Sequence, residues 1–202
     1  MKKTPYVALL MAAFVSFGVY AQELTRELPT PVKTGGKPLM EVISARKSDR
    51  SYSTRSLDAQ TLSNLLYAAW GFSHDGKRTI PTSQNKQDLS VYAVMADGVW
   101  KYNAGENALE MVADKDVRPL FETQDFVKGV PLILVYVGTD VKNSPLHAGS
   151  AYQNVGLYAA SVGLNNVVRG YFDRNAAAKA LQLSPNEQVI ISQVVGWPES
   201  AH

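Results

Sequence analysis

A basic cluster lies in the first third of the 202-residue chain. It comprises Arg46, Lys47, Ser48, Asp49, Arg50 and, slightly further on, Arg55. Four cations and one acid give the cluster a local charge of +3. Guanidinium, ammonium and hydroxyl donors in one place are suited to holding a phosphate dianion. The alternative is that these cations complement the C-terminal end of a helix and remain solvated.

A second candidate is a polar loop that comprises Pro81, Thr82, Ser83, Gln84, Asn85, Lys86 and Gln87. Five of its side chains can donate or accept hydrogen bonds without carrying charge, and Lys86 adds a cation. Such a loop could contact the polar edge of a ring or a polyol chain. An ordinary solvated loop is the alternative, although long irregular loops in compact domains are often functional.

The third candidate spans residues 167–173, which read Val-Val-Arg-Gly-Tyr-Phe-Asp. Gly170 allows the backbone to approach a flat ligand closely with its N–H group exposed. Arg169 and Tyr171 flank this glycine and belong to the same candidate site. The alternative is an ordinary turn, and in either case Asp173 is placed to cap the following helix.

The composition excludes several kinds of chemistry. Without cysteine the chain has no disulfide, no iron–sulfur cluster, no thiolate zinc site and no cysteine nucleophile. His74, His147 and His202 share no ligand-like spacing, so no metal site is expected. The net charge of +2 is too small to indicate a nucleic-acid-binding protein. No Gly-x-Ser-x-Gly motif and no Ser/His/Asp constellation is evident, which disfavours a hydrolase.

Residues 1–21 are typical of a secretory signal peptide. Two lysines precede an uncharged, mostly apolar run from Val7 to Val19, which ends beside a Val-Tyr-Ala cleavage site. This run is shorter than the roughly 20 residues that a membrane anchor needs. We therefore expect an exported protein, periplasmic or extracellular, with no membrane association after cleavage. An extended lead-in at residues 22–38 follows, and residues 39–202 are predicted to form one folded domain.

The first part of this domain is predicted to be helical. Apolar spacing predicts a helix that begins at Leu39 and carries an apolar face. A second helix is expected to begin after Asp58 as its N-cap and to end at Gly71 in the left-handed conformation. Residues 72–88 are predicted to form an irregular loop that holds the second candidate.

The remaining elements alternate between strands and helices. Asp97-Gly98 between two apolar runs predicts a β-hairpin, and the apolar run at 132–137 predicts a strand buried on both faces. Gly163 is expected to end a long helix. Further predicted elements are strands at 89–96, 99–102, 108–112, 166–168 and 188–195, and helices at 114–123 and 176–181. The pattern indicates an α+β fold with helices flanking a mixed, largely antiparallel sheet.

The three candidates, in this order, resemble motifs of the FMN-dependent nitroreductase family, in the branch that includes thiazoline and oxazoline oxidases. The matching residues are Arg46, Lys47, Ser48 and Arg50; Leu65, Leu66 and Gly71; Pro81, Thr82, Ser83, Asn85 and Gln87; Val99 to Tyr102; Gln124 to Val127; Gln153 and Asn154 with Gly163 and Leu164; and Gly196 to Pro198. No single motif is specific to the family, but their order along nearly the whole mature chain is. The resemblance implies a nitroreductase-like fold.

The resemblance also implies an FMN site. The implied cofactor-binding residues are Arg46, Lys47, Ser48, Arg50, Pro81, Thr82, Ser83, Asn85, Gln87, Arg169, Gly170 and Tyr171. The basic cluster would hold the phosphate and ribityl end, and the polar loop would contact the flavin, in this family often that of the other subunit. The backbone N–H groups of Gly170 and Tyr171 would face N5 and O4 of the ring. No side chain is expected to act as a catalyst.

The implied function is an oxidoreductase that works as a homodimer. It would transfer a hydride or two electrons from a donor, NAD(P)H or another electron carrier, to an electron-poor small-molecule acceptor. Two features depart from the family. The chain stops four residues after Pro198, before the basic C-terminal segment of many members, and Gly170 stands where some members have an acidic residue. The alternative is an exported, non-catalytic binding or scaffold protein that retains the fold without flavin.

Overall fold

The computed structural model describes residues 24–199, so the predicted signal peptide and residues 200–202 lie outside it. The strands are β1 (Thr25–Glu27), β2 (Leu89–Met95), β3 (Gly98–Asn103), β4 (Ala108–Ala113), β5 (Leu132–Gly138), β6 (Asn165–Arg169) and β7 (Gln188–Gly196). The α-helices are α1 (Leu39–Ala45), α2 (Ala59–Trp70), α3 (Ser144–Val162) and α4 (Arg174–Ala180). Short 3₁₀ turns cover Ser83–Asn85, Arg118–Phe121 and Asp125–Val127.

The strands form one seven-stranded sheet in the order β1-β4-β3-β2-β5-β7-β6. Each strand pairing in the described part of the chain is antiparallel, and helices flank the sheet, so the predicted α+β fold is confirmed. Every residue of β5 is buried, as expected for a strand covered on both faces. The lead-in is extended as predicted, but its residues Thr25–Glu27 pair with β4 as an edge strand instead of lying free.

Two apolar layers enclose the sheet. One contains α2 and α3, whose Leu65, Leu66, Ala151 and Val155 side chains are completely buried. The other contains α4 and the 3₁₀ turn around Phe121, packed on the opposite face of the sheet. Burying an aliphatic or aromatic side chain in this way contributes about 1.5–3 kcal/mol to stability. Within residues 24–199, no helix is both long enough and apolar enough to span a bilayer.

Three local predictions that depend only on neighbouring residues are confirmed. Asp58 caps α2 by accepting a hydrogen bond from the Thr61 amide at 2.8 Å, and this bond lowers the pKa of its carboxyl group. Gly98 has a φ of +135° in the β2–β3 turn, where a Cβ would lie 2.4 Å from the Ala113 carbonyl oxygen. Gly163 ends α3 with a φ of +81°.

Two other local predictions are wrong. Gly71 is extended, with φ −67°, and not left-handed. A Cβ at this position would lie 2.3 Å from the Tyr67 ring, so glycine is needed there for close packing. The segment 114–123 contains only the short 3₁₀ turn that ends at Phe121. The Phe121 carbonyl accepts a hydrogen bond from Arg169 at 2.6 Å, and this tertiary contact takes the place of a continuing helix.

Candidate functional site

The basic cluster begins where α1 ends. The stem of Arg46 packs against α3, where a Cβ on Gly156 would lie 3.5 Å from the Arg46 Cδ atom. The Asp49 amide donates to the Asn166 carbonyl of β6 at 3.0 Å, and the buried Tyr52 hydroxyl donates to the Asp49 carbonyl at 2.6 Å. Burial raises the pKa of Tyr52, so its hydroxyl stays protonated as a donor. The backbone of the cluster is therefore fixed between α3 and β6.

The side chains of the cluster are free for an external ligand. Among the hydrogen bonds within residues 24–199, none uses the side chain of Arg46, Ser48 or Arg50. Arg50 lies 5.8 Å from the centre of the Phe126 ring, and Lys47 forms an exposed ion pair with Asp49 at 3.2 Å. Two guanidinium groups and one hydroxyl thus retain unused donors beside a rigid backbone, which is the donor set that a phosphate needs.

The side chain of Arg169, which the sequence assigns to the cofactor site, makes its contacts within the chain. Its side chain is buried among internal acceptors, with only 6% of the residue exposed. The guanidinium donates to the Phe121 carbonyl at 2.6 Å, to Thr123 Oγ1 at 2.6 Å and to the Tyr171 carbonyl at 2.7 Å. Burial lowers its pKa, although it remains charged. Through these contacts Arg169 links the 118–124 segment to the end of β6.

Gly170 and Tyr171 follow Arg169 at the open end of β6. The Tyr171 carbonyl is held twice, by Arg169 and by the Thr123 hydroxyl. The Tyr171 amide is not a donor in any turn, loop or cap hydrogen bond among residues 24–199. Its side chain is 71% exposed. A fixed residue with an unengaged N–H group therefore stands where the sequence predicts a contact to a flat ring.

The polar loop is a tight and strained structure. Gln84, Asn85 and Gln87 have positive φ values of 53°, 55° and 49°, which side-chain-bearing residues adopt only under constraint. The Thr82 hydroxyl accepts from the Gln87 amide at 3.2 Å, and the Gln87 side chain accepts from Arg78 Nε at 2.8 Å. Pro81 is exposed. Hydrogen bonds within the loop and from the preceding turn thus stabilise this strained backbone.

A buried pair at the start of α3 supports this loop from behind, and the sequence did not reveal it. His147 Nδ1 lies 2.5 Å from Asp88 Oδ1, and both side chains are only 6% exposed. His147 Nε2 accepts a hydrogen bond from the Ser83 amide at 2.9 Å, and the Ser144 hydroxyl donates to the second oxygen of Asp88. Asp88 and His147 are 59 positions apart, so no local spacing could have brought them together.

Ser83, His147 and Asp88 thus lie together, contrary to the expectation that no such constellation exists. Their geometry is not that of a nucleophilic triad. The acceptor lone pair of His147 Nε2 is taken by the Ser83 amide at 2.9 Å, whereas Ser83 Oγ lies further away at 3.3 Å. A general base must have that lone pair directed at the hydroxyl proton. The arrangement positions a loop and does not activate Ser83.

The basic cluster and the polar loop lie on opposite sides of α3 within one protomer. The cluster contacts Gly156 and the loop contacts His147. Nine residues separate these positions, which is about 180° around a helix and about 13.5 Å along it. The end of β6 lies on the cluster's side, because Arg50 of the cluster and Arg169 of β6 lie 5.8 Å and 6.0 Å from the centre of the same Phe126 ring. One chain therefore brings together the first and third candidates but not the second.

One cavity lies beside the polar loop, and a larger one lies away from the predicted site residues. One of about 440 Å³ opens beside the polar loop, lined by Lys86, Gln87, Asp88, Leu89, Ser90, Thr139 and Asp140. A larger one, of about 650 Å³, lies between β1, the start of α2 and the β2–β3 turn and includes none of the predicted site residues. Within residues 24–199 there is no group of His, Asp and Glu side chains that could hold a metal ion.

Comparison with known proteins identifies the fold. A profile described as the nitroreductase family matches residues 43–197. The chain is 33% identical to a protein of Ralstonia eutropha whose crystal structure is named as that of a nitroreductase, covering 98% of this chain and 99% of that one with a TM-score of 0.83. It is also 27% identical to a protein of Methanocaldococcus jannaschii named as a nitroreductase, over 72% of this chain and 84% of that protein.

A more distant likeness concerns the fold alone. A chain of the Escherichia coli microcin synthetase complex superimposes with a TM-score of 0.66 at 17% identity, covering 96% of this chain and 85% of that one. The profile match and the Ralstonia relative agree on the family and on the α+β fold. The chain therefore belongs to the nitroreductase family, whose members are oxidoreductases.

Proposed function

We propose that the protein is an FMN-dependent oxidoreductase in which the basic cluster binds the phosphate of the cofactor. The observation that carries this proposal is the set of unused donors on Arg46, Ser48 and Arg50, fixed at the junction of α1, α3 and β6. When bound, FMN accepts a hydride or two electrons and passes them to a second molecule.

The chain's own residues would bind and orient this cofactor at two ends. Arg46 and Arg50 would donate forked hydrogen bonds to the phosphate oxygens, with Ser48 and Lys47 adding further donors. At the other end, the Tyr171 amide would donate to the polar edge of the ring, with Gly170 permitting close approach. Thr123 and Arg169 hold the Tyr171 carbonyl and so keep that residue in place. Donors fixed in advance stabilise negative charge without reorganising.

The site would be completed by a second copy of the chain. On α1, Leu39, Met40 and Ile43 are 63%, 73% and 48% exposed, and only Val42 of its apolar residues is buried. Leu146 of α3 is 68% exposed. Leu39, Met40 and Ile43 form an exposed apolar surface beside the basic cluster, and Leu146 adds an exposed apolar side chain near the polar loop, as an interface between subunits requires. Because the polar loop lies on the far side of α3, it would contact the cofactor of the partner subunit in such a homodimer.

The electron donor and acceptor are proposed by class. NAD(P)H or another electron carrier would reduce the cofactor, and an electron-poor small molecule would be the acceptor. We also propose export by the signal peptide at residues 1–21, and membership of the thiazoline and oxazoline oxidase branch on the motif resemblance. An exported enzyme meets little NAD(P)H, which favours a substrate or carrier outside the cytoplasm as the donor. Fractionation of cells that produce the full chain would locate the mature protein.

The visible absorption spectrum of the purified, untreated protein tests the proposal. We expect a yellow protein with flavin absorption, whose colour bleaches when a competent donor is added under nitrogen. Separate additions of NADH, NADPH and neither identify the donor. A colourless protein that also fails to bind added FMN would contradict the proposal and support the non-catalytic scaffold instead.

A further inference from the structure

The contacts of His147 with Asp88 and Ser83 select one tautomer of its neutral imidazole at the base of the polar loop. A neutral imidazole has one donor nitrogen and one acceptor nitrogen. Asp88 is an acceptor at 2.5 Å from Nδ1, so the proton is on Nδ1 and the lone pair is on Nε2. That lone pair accepts the Ser83 amide at 2.9 Å. Ser83 opens the turn in which Gln84, Asn85 and Gln87 have positive φ, so the imidazole holds the start of a strained segment.

We propose that Asp88 and His147 are positioning residues for the cofactor site, and that a proton on His147 releases the polar loop. The flavin part of this inference rests on the proposed function, since Ser83 is proposed to contact FMN. Protonated His147 carries a hydrogen on Nε2, which then faces the Ser83 N–H group donor to donor. The Ser83 hydroxyl, 3.3 Å from Nε2, is the acceptor at hand. The hydrogen bond therefore passes from the backbone of Ser83 to its side chain, and the turn loses its anchor.

The other groups around the imidazole keep their state during this change. The Ser144 hydroxyl donates to the second oxygen of Asp88 and holds the carboxylate in place. Lys86 and Asp140 form an ion pair at 3.4 Å beside the loop. Hydrogen bonds from Asn143 hold the pKa of Asp140 well below its ordinary value, so Asp140 stays charged. The proton on His147 is the local change that alters which partner Ser83 has.

Hydrogen exchange of the Ser83 amide and FMN affinity, measured on the purified full chain at several pH values, test this proposal. Three variants are compared with the wild type. His147→Gln retains an acceptor oxygen for the Ser83 amide but takes up no proton, and His147→Phe removes the acceptor. His74→Gln removes an exposed histidine and serves as the matched control. Exchange rates are corrected for the intrinsic effect of pH, so that protection alone is compared.

We expect the Ser83 amide of the wild type and of His74→Gln to lose protection between neutral and acidic pH, because a proton on His147 Nε2 removes the acceptor of that amide. FMN affinity should fall about tenfold more in these two proteins than in His147→Gln over the same range. Titration of the FMN phosphate itself is common to all variants and cancels in this comparison. His147→Phe should lack protection of the Ser83 amide at every pH.

Two results would overturn the proposal. One is equal loss of protection in wild type and His147→Gln, and the other is an unchanged Ser83 amide in His147→Phe. If His147→Phe does not fold, the Gln variant alone still decides. If the wild type binds no FMN at any pH while the exchange contrast persists, the proposed function and the flavin part of this inference both fail. The positioning of Ser83 by His147 then stands by itself.

Discussion

Two pairs of arginines occupy opposite surroundings in the same protein. Arg118 and Arg169 donate to internal partners: Arg118 forms a forked ion pair with Asp116 at 2.7–3.2 Å, and Arg169 donates to four acceptors in its own chain. Within residues 24–199, the side chains of Arg46 and Arg50 have no hydrogen-bonded partner, although the Arg46 amide is bound to the Val42 carbonyl at 2.9 Å. This difference is the reason for proposing Arg46 and Arg50, and not the other pair, as phosphate-binding residues.

The largest effect is expected when Arg46 and Arg50, the two arginines without side-chain hydrogen bonds, are both replaced. Arg46→Ala with Arg50→Ala should weaken FMN binding about 100-fold, about tenfold for each charge-assisted contact, because both donors are proposed to face the phosphate. The free energy of unfolding without flavin should change by less than about 0.5 kcal/mol. Flavin fluorescence titration and denaturant melts measure the two quantities. Lys115→Ala with Lys179→Ala removes the same charge elsewhere on the surface and should leave affinity unchanged.

Removing a saturated arginine should give the reverse pattern of effects. Arg169→Ala leaves the buried Phe121 carbonyl without its donor and removes one of the two donors to the Tyr171 carbonyl. We expect a loss of about 3 kcal/mol in the free energy of unfolding, the scale of a broken buried charged network. Thermal and denaturant melts of the flavin-free protein measure it. An Arg169→Ala variant as stable as the wild type would contradict the structural role of Arg169.

Arg118 provides an intermediate case with a defined pH dependence. Its hydrogen bonds lower the pKa of Asp116, so the pair stabilises the fold above the unfolded pKa of about 3.9 and loses that contribution as the pH falls through the lower folded value. Asp116 is 36% exposed, so screening limits the contribution of the pair. We expect Arg118→Ala to cost about 1 kcal/mol at neutral pH. The gap from wild type should narrow in acid, and a gap that widens there would contradict this sign.

The smallest expected effect is a difference in salt dependence between the two pairs of arginines. Raising the ionic strength from about 0.05 M to about 0.5 M should weaken FMN binding by several-fold, because Arg50 is exposed and Arg46 only half-buried, so salt screens their charges. The stability that Arg169 provides should stay nearly constant, since Arg169 itself is buried. Titrations and melts across the salt series measure both. An affinity that is insensitive to salt would place the phosphate away from the basic cluster.

The sequence predicted those parts of the fold that depend on neighbouring residues. The Asp58 cap, the turn at Gly98 and the helix end at Gly163 each depend on a short range of chain, and all three are confirmed. Gly71 was misjudged because its glycine is required by a side chain packed over it, and this contact is invisible in the spacing. The helix predicted at 114–123 is replaced by a 3₁₀ turn, because Pro119 has no N–H to continue a helix and distant Arg169 binds the Phe121 carbonyl.

The candidate site divides in the same way. The basic residues and the glycine after β6 are recognisable from their types and order, and the chain places them side by side. Whether an arginine is free or saturated depends on contacts made across the fold, so Arg46 and Arg169 could not be told apart from the sequence. The support of the polar loop by Asp88 and His147 joins residues 59 positions apart and carries no local signal.

Comparing FMN with riboflavin, which differ only by the phosphate, tests the central claim most directly. The wild-type protein should bind FMN about 100-fold more tightly than riboflavin, and Arg46→Ala with Arg50→Ala should bind the two with similar affinity. Both flavins can be followed by the same fluorescence titration. Equal affinity of the wild type for FMN and riboflavin, or an undiminished preference in the double variant, would contradict the assignment of the basic cluster to the phosphate.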